Sequence, residues 1–337
     1  QEWHRIHRKL NHPSRADTDH AYLSGEMTLP GEKTHTVLPR YSERLCITCM
    51  RSKFQKRVRN VFQSKMIKAR RRGQVWHADL VGPFPLGQSG EKYICTFTDA
   101  ATGYMVAYAM KKKSEAGKCL EMLINEINQL KVDTKRNHHI RRIRRLITDR
   151  GGEFINSEKN NKSVKNVKSY FTAVCKKHKI KQKFTAAYTS KHNGMAERTN
   201  RTIAEGMRSS LIDSNCTWSV WPEAMAHSTF AANRVMRQSK ARKGKPAKWK
   251  GWTSPYTRMT GLNNNARDMH PFLQPGHLVN EKPKNKKSNT ERSAVVRFIG
   301  YSTTSKGYIL MKGDGSRIHS EFFTPIEGRH PLKQGYT

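Results

Sequence analysis

Acidic residues are scarce in this sequence. Its 337 residues include 26 Asp and Glu against 64 Lys and Arg, which gives a formal net charge of +38. So few acids exclude an ordinary, evenly charged surface. The excess of cations predicts a polyanionic partner, with nucleic acid favoured over an anionic membrane surface.

Long apolar runs and abundant cysteine are also missing. Hydrophobic residues make up 35% of the chain, and no run approaches the length that spans a bilayer, so no membrane role is expected. Six cysteines in a chain of this length do not make a disulfide framework, and a reducing, intracellular setting is expected. No signal peptide pattern is visible. Gln1 in place of Met indicates a chain cut from a precursor or trimmed.

The pattern of strands and helices predicts a mixed α/β core. Three β-rich runs (VWHADLVG, KYICTFTD and YMVAYAM) precede a helical pattern that begins at Ser114, and a fourth strand, IRRLIT, leads to Asp149. A polar loop over 155–169 follows. Further helices are predicted over 169–178, 192–214 and 218–237, with a short strand at 182–187. The β-rich block over 277–323 predicts a small antiparallel barrel.

The N-terminal block contains a cluster of metal-ligand residue types. His7, His12, Cys46 and Cys49 are spaced H-x4-H-x33-C-x2-C. Imidazole and thiolate ligands suit tetrahedral Zn²⁺, and four protein ligands are typical of a closed, structural site that does no chemistry. The H-x4-H spacing predicts two imidazoles on one helical face. His4 is an alternative to His7.

Three acids stand at positions where the predicted elements end or begin. Asp79 interrupts the apolar first strand, Asp149 ends the fourth strand, and Glu197 lies in the first turns of a long helix. If the first and fourth strands are neighbours, the two Asp lie side by side and the helix adds the Glu. Such carboxylates favour Mg²⁺ or Mn²⁺, and two ions held there stabilise both oxygens of a phosphodiester displacement. For Asp149 alone, a simple Asp-Gly turn is the competing interpretation.

Two other acids are decoys in this interpretation. Asp99 ends the second strand and is expected to form a turn. Glu153 is expected to brace the site from outside the metal's ligands.

Candidate contacts to nucleic acid are basic or polar. Asn193 and Arg201 lie near the face of Glu197, and two basic runs are candidate phosphate contacts. An ordinary solvated face is the alternative, and either run could also act as a nuclear import signal. The run residues are Lys68, Arg70, Arg71, Arg72, Arg141, Arg142, Arg144 and Arg145.

Several segments together resemble a known family. WHADLVGP, LITDRGGEF and HNGMAERTNRTI are similar to the three signature segments of the retroviral and retrotransposon integrase core, of the DDE superfamily. The best match is to the copia-type (Pseudoviridae) class of long-terminal-repeat elements. IHRKLNHPS with CITCMRSK resembles that family's zinc-binding segment, and VVRFIGYSTTSKGYILM resembles its β-rich segment after the core.

The resemblance implies a fold class and a division of the chain. The expected α/β fold is an RNase H-like catalytic core with an N-terminal zinc-binding helical module and a C-terminal SH3-like barrel. The implied divisions are 1–60 (zinc module), 61–74 (basic linker), 75–240 (core), 241–275 (linker) and 276–328 (β-rich DNA-binding domain). The resemblance carries the Mg²⁺ or Mn²⁺ role onto Asp79, Asp149 and Glu197. The interval between Asp149 and Glu197 is longer than is usual in the family, and the polar loop over 155–169 accounts for the excess.

The expected function is that of a retrotransposon integrase. It would trim and join element DNA ends to target DNA as a metal-dependent polynucleotidyl transferase, in a homo-oligomer that is a tetramer or larger. A host tethering factor and a nuclear location, after a cytoplasmic particle stage, are also expected. One alternative is a domesticated, catalytically silent component of a larger, RNA-rich assembly. Another is an RNase H-like nuclease without joining activity.

Overall fold

The computed structural model divides the chain into two compact units. Unit 1 comprises 1–54, 205–231 and 267–337, and unit 2 comprises 55–204 and 232–266. The domain boundaries expected from the sequence stay predictions. The structure describes residues 2–25, 27, 35–40, 44–53, 71–133, 142–149, 151, 154, 169–184, 194–238, 251–264, 266, 269–279, 293–302 and 307–326.

A five-stranded mixed sheet forms the frame of unit 2. Its strands are β1 (Val75–Val81), β2 (Tyr93–Asp99), β3 (Met105–Met110), β4 (Arg145–Thr148) and β5 (Lys181–Phe184), in the order β3-β2-β1-β4-β5. The first three strands are antiparallel, whereas β4 runs parallel to β1 and β5 runs parallel to β4. The predicted order of three strands, a helix and a strand is confirmed, and the first and fourth strands are neighbours.

The hydrophobic core of unit 2 lies between this sheet and two helices. These helices are α4 (Ala116–Gln129) and α5 (Tyr170–Lys177). Leu120 and Leu123 of α4 share the core with Trp76, Phe97 and Leu146 of the sheet. Because α4 carries apolar residues three and four apart, it presents one continuous apolar stripe to the sheet.

Part of the segment predicted as a linker belongs to this core. Within 241–275, the structure forms β7 (Trp252–Thr253), which pairs with β6 (Arg237–Gln238), and a short helix, α8 (Pro255–Thr260). Ser254 caps α8 by accepting from Thr257 N, and Met259 is fully buried in the core. The sequence did not indicate that α8 contributes to the core, because the helix is short and polar and a single buried Met gives no periodic pattern.

Unit 1 combines three N-terminal helices with parts of two long ones. The N-terminal helices are α1 (Glu2–Lys9), α2 (Arg15–Ser24) and α3 (Ile47–Lys53). The second half of α6 (Gly194–Asp213) and most of α7 (Trp221–Arg234) complete this group. Gly206 permits their close approach, because a Cβ there would lie 2.1 Å from Ser228 Oγ.

An antiparallel sheet forms the C-terminal part of unit 1. Its strands are β8 (Pro275–Val279), β9 (Ser293–Tyr301), β10 (Tyr308–Met311), β11 (Arg317–Ser320) and β12 (Thr324–Pro325), in the order β11-β10-β9-β8-β12. Leu278, Val296, Phe298 and Leu310 form its core, and Tyr301 stacks on Phe230 of α7 with ring centroids 3.8 Å apart. Closure into an SH3-like barrel stays a prediction.

No helix in the described ranges is long and apolar enough to cross a membrane.

Candidate metal centres and nucleic-acid surface

Asp79 occupies the solvent-facing end of the buried strand β1. Its Oδ1 accepts a hydrogen bond from Leu80 N at 2.9 Å, and its Oδ2 accepts one from Asn200 Nδ2 at 2.8 Å. Thr96 lies opposite Asp79 on β2 and donates to Asn200 Oδ1 at 2.6 Å. Asn200 therefore holds the Asp79 carboxylate, and only the structure shows this contact.

Asp149 directly follows β4, next to Asp79. The β1–β4 register pairs His77 with Ile147, so its continuation brings residues 79 and 149 level at the same end of the two strands. Asp149 is exposed, and its Oδ1 accepts from Gly151 N at 3.0 Å. The turn interpretation and the site interpretation are therefore compatible, because the turn occupies one carboxylate oxygen and leaves the other.

Glu197 lies in the first turn of α6 and is exposed. Asn200 follows it by three residues, which places both side chains on one face of the helix. Thr199 packs beneath them and hydrogen-bonds Thr98 of β2 at 2.7 Å. This contact attaches the start of α6 to β2, the strand next to the one that carries Asp79.

Asp149 and Glu197 lie close enough to Asp79 for their charges to affect its pKa. The pKa of Asp79 is raised to about 6, because burial and the charges of Asp149 and Glu197 outweigh the hydrogen bonds that lower it. Carboxylates that repel in this way favour a cation between them. In the described part of the chain, the three do not converge tightly enough to form a ready metal cluster, unlike the His and Cys group below.

Asp99 shows what a buried acid without a metal role looks like. It is 0% exposed, and its carboxylate accepts from Gly73 N, Ala101 N, Thr102 N and the Thr102 hydroxyl at 2.7–3.2 Å. Burial raises its pKa to about 6 even though these bonds lower it. These contacts form the predicted turn at Asp99, and both carboxylate oxygens accept hydrogen bonds.

The four predicted zinc ligands lie together in unit 1. The ligand atoms of His7, His12, Cys46 and Cys49 are within 4.8 Å of one another. His7 Nε2 lies 3.1 Å from Cys49 Sγ, and His12 Nδ1 lies 3.4 Å from Cys46 Sγ and 3.7 Å from Cys49 Sγ. Zn–S and Zn–N bonds of ordinary length at tetrahedral angles separate S and N by about 3.6 Å. The residues therefore fit a zinc ion.

Hydrogen bonds fix which nitrogen of His7 is free to bind a metal. Thr18 Oγ1 donates to Ser14 O at 3.1 Å and lies 2.9 Å from His7 Nδ1. Since the hydroxyl proton is already used, Nδ1 must donate, and Nε2 keeps its lone pair. Burial lowers the pKa of His7 to about 4, so the imidazole is neutral at pH 7, as a metal ligand must be.

One of the two cysteines is suited to ionisation. The pKa of Cys46 is lowered, mainly because the Cys49 thiol donates a hydrogen bond to its sulfur, and the same contact raises the pKa of Cys49. A thiolate is the form that binds zinc.

The helical-face explanation of H-x4-H was wrong. Helix α1 ends at Lys9, and His12 lies beyond it at φ 54, after Asn11 at φ 56. Pro13 disfavours the α conformation at His12, and a left-handed pair at the helix end turns the chain back. The two imidazoles meet because of this turn.

Some of the predicted DNA contacts are exposed, whereas others bind to groups within the protein. Arg71, Arg144, Arg145 and Arg201 are exposed. The Arg142 guanidinium donates to His178 O at the end of α5, and half-buried Arg72 donates to Met259 O at 3.5 Å. Both therefore have structural contacts besides any role at a phosphate. Lys68, Arg70, Arg141, Glu153, Asn193 and most of the loop 155–169 lie outside the described residues.

Together, the sheet order and the acids at neighbouring strand ends define a mixed α/β core of the RNase H-like kind. Residues 69–190 match the family described as integrase core domain, a range that includes Asp79 and Asp149 and ends before Glu197. This match and the similarity to Pol polyproteins of plant transposons confirm the resemblance to copia-type retrotransposon integrases.

Several known proteins are similar to this chain. The retrovirus-related Pol polyprotein from transposon TNT 1-94 of Nicotiana tabacum is 28% identical over 229 residues, which covers 68% of this chain and 15% of that protein. The corresponding polyprotein from transposon RE1 of Arabidopsis thaliana is 24% identical over 281 residues, covering 81% of this chain and 16% of that protein. The chain thus spans less than a fifth of these curated relatives. The HTLV-2 integrase catalytic core domain in complex with magnesium is similar at 16% identity and a TM-score of 0.36, covering 53% of this chain and 96% of that one.

Proposed function

We propose that this protein is a retrotransposon integrase that trims and joins the ends of element DNA to target DNA. The placement of Asp79 and Asp149 at adjacent parallel strand ends, with Glu197 on a helix bound to Asp79 through Asn200, supports this most strongly. Each acid comes from a different element, so the site exists only in the folded core.

The acids would hold Mg²⁺ or Mn²⁺. Carboxylate oxygens are the ligands that these hard cations prefer. When bound, two such ions stabilise the attacking and leaving oxygens of a phosphodiester displacement. In that displacement, water or a terminal 3′-OH forms the new P–O bond while the old P–O bond breaks. No protein side chain is then needed as a nucleophile.

The zinc cluster would fold the N-terminal module. Four protein ligands leave no open position for substrate, which is the mark of a structural site. His7 and His12 are each only 2% exposed.

Surface cations would bind the phosphate backbone of double-stranded DNA. Arg145 of β4 lies directly opposite Lys181 of β5, and both are exposed. Like charges opposite each other on neighbouring strands are destabilising, and a phosphate would relieve that repulsion. Arg201, close to Glu197 on α6, would reach a DNA end.

Joining two ends in one event implies a multimer, and we propose a tetramer or larger with a host tethering factor. The protein would act in the nucleus after a cytoplasmic particle stage. The alternative function, a catalytically silent nucleic-acid-binding component, rests on the net charge of +38.

The test is joining of a labelled element-end duplex to plasmid DNA in Mg²⁺ or Mn²⁺. Glu197→Gln keeps the size and helix propensity of the side chain, so we expect normal folding and DNA binding. Strand transfer should fall by several orders of magnitude, because transition-state stabilisation by the metals is lost.

The matched control is Glu153→Gln, which should keep most activity. If Glu197→Gln joins ends as well as the wild type, the site is wrongly assigned. If the wild type binds DNA but joins no end with either metal, the silent alternative is correct.

A further inference from the structure

Asp213, at the C-terminal end of α6, places a buried carboxylate beside the zinc cluster. It is 6% exposed. Its Oδ2 lies 2.8 Å from Arg8 Nε and 3.8 Å from His12 Nε2, and its Oδ1 lies 3.4 Å from Thr48 Oγ1. All three neighbours belong to the N-terminal module, whereas Asp213 is the last residue of α6. Nothing in the local sequence around Asp213 indicates this contact.

The two nitrogens of His12 face different partners. Nδ1 faces the sulfurs of Cys46 and Cys49, whereas Nε2 faces the Asp213 carboxylate. A neutral imidazole that gives one lone pair to a metal must carry its proton on the other nitrogen. A carboxylate beside that nitrogen fixes the tautomer, orients the ring and increases its basicity as a ligand.

We propose that Asp213 is the positioning residue for the zinc ligand His12, and that zinc binding is thereby coupled to docking of the end of α6. The inference rests on the zinc site of the proposed function. It adds a residue outside the four ligands, on the helix whose first turn carries Glu197.

The surrounding contacts show that the end of α6 is docked on the module. Ser209 Oγ lies 2.8 Å from Ser52 Oγ, and Ser210 Oγ donates to Asn11 Oδ1 at 2.9 Å. Arg208 donates to Ser52 O at 2.9 Å. These bonds attach α6 to the segments that carry His12 and Cys49, but none reaches a zinc ligand side chain. Asp213 is the contact in this interface that faces one.

Coupling between the two events must be reciprocal. If Asp213 orients His12 for the metal, then bound zinc also stabilises the Asp213 contact and the last turns of α6. Loss of an outer partner of this kind weakens metal binding by about 10- to 100-fold. Removal of zinc should correspondingly increase amide exchange near the end of α6.

The experiment measures zinc affinity of the full chain by competition with a chromophoric chelator. The variants are Asp213→Ala and Ser210→Ala, which both remove an interface contact, but only Asp213 faces His12. We expect Asp213→Ala to bind zinc about 10- to 100-fold more weakly, and Ser210→Ala to bind within a few-fold of the wild type.

Nitrogen-15 NMR of the histidines supplies a reading that general destabilisation would not reproduce. In the zinc-loaded wild type, the His12 Nε2 proton should exchange slowly with water. In Asp213→Ala it should exchange fast, and in Ser210→Ala it should stay slow. If Asp213→Ala does not fold, Asp213→Asn keeps the shape and one acceptor, and should give intermediate affinity and exchange.

Each remaining outcome overturns the inference in a distinct way. Equal loss of zinc in Asp213→Ala and Ser210→Ala would show that docking alone matters. Unchanged affinity and unchanged exchange in both Asp213 variants would remove any role of the carboxylate. A wild type that binds no zinc would remove the zinc site itself, whereas strand-transfer activity would still test the acid site separately.

Discussion

His7 and His12 are each 2% exposed, whereas Asp149 and Glu197 lie open to solvent. The ligand atoms of the zinc cluster lie within 4.8 Å of one another, and those of the acids are more spread in the described structure. Outer partners fix both imidazoles, whereas at the acid site, among the described residues, Asp79 alone is held by another side chain, Asn200. A closed site serves folding, and an open one leaves room for substrate oxygens. The two sites should therefore respond differently to the same kinds of change.

The largest expected effect is at the closed site. Cys49→Ser removes one of the four ligands, and because metal binding contributes directly to the folding of such a module, we expect zinc affinity to fall by several orders of magnitude. The N-terminal helices should melt while unit 2 keeps its structure. Bound zinc and hydrogen exchange of the full chain measure both effects.

Cys216→Ser is the control, since Cys216 is a half-buried thiol of unit 1 outside the metal-ligand group. It should retain stoichiometric zinc. If Cys49→Ser bound as much zinc as the wild type, the closed site would not depend on all four ligands. The proposed difference between the closed and the open site would then be wrong.

The second expected effect is a pH dependence of stability at Asp99, an acid that is buried but lies outside the metal site. Burial raises the pKa of Asp99 to about 6, above its unfolded value near 3.8. The folded state therefore binds the proton more tightly, and stability falls as pH rises from about 4 to about 6. A shift of this size corresponds to at most about 3 kcal/mol. In Asp99→Asn, that part of the pH dependence should disappear.

The measurement is chemical denaturation from pH 4 to 7 in the presence of a chelator. The wild type should lose its stability advantage over Asp99→Asn as the pH rises. In a separate series at pH 7 without chelator, Mg²⁺ should stabilise both proteins equally, because the Asp99 carboxylate is fully buried and hydrogen-bonded through both oxygens. A loss of Mg²⁺ stabilisation in Asp99→Asn would place this acid in the metal site.

The positions of the acids could be predicted because they depend on local patterns. A carboxylate inside an apolar strand and another at a strand end are visible in the sequence, and the neighbouring strands do bring residues 79 and 149 level. The roles of Asn200 and Asp213 could not be predicted, because each depends on a contact between residues more than a hundred positions apart. The turn at His12 was missed although the spacing argued against a shared helix face, because residues five apart lie about 140° apart around a helix axis.

The division of α6 between two units could not be predicted from the sequence either. Its residues up to 204 belong with the sheet, and those from 205 belong with the N-terminal helices. A continuous helical pattern carries no sign of which neighbour covers each turn. The predicted zinc module at 1–60 therefore lacked the helix end that docks on it.

The smallest expected effect concerns DNA binding, which should depend on neither metal site. Arg144, Arg145 and Lys181 are exposed, and in the described part of the chain none of the three forms an ion pair. Changing all three to Ala should reduce the slope of log affinity against log salt by about 3, at roughly 0.9 for each lost phosphate contact.

The control changes Lys111, Lys112 and Lys118 to Ala, which removes an equal amount of positive charge beside the acid Glu115. This control should leave the slope nearly unchanged. Fluorescence anisotropy of a labelled duplex from low to high salt, repeated with a chelator of divalent cations, measures both. An equal slope in the two triple variants would mean that net charge alone binds DNA, and loss of binding in the chelator would mean that the open acid site, not the surface, holds the duplex.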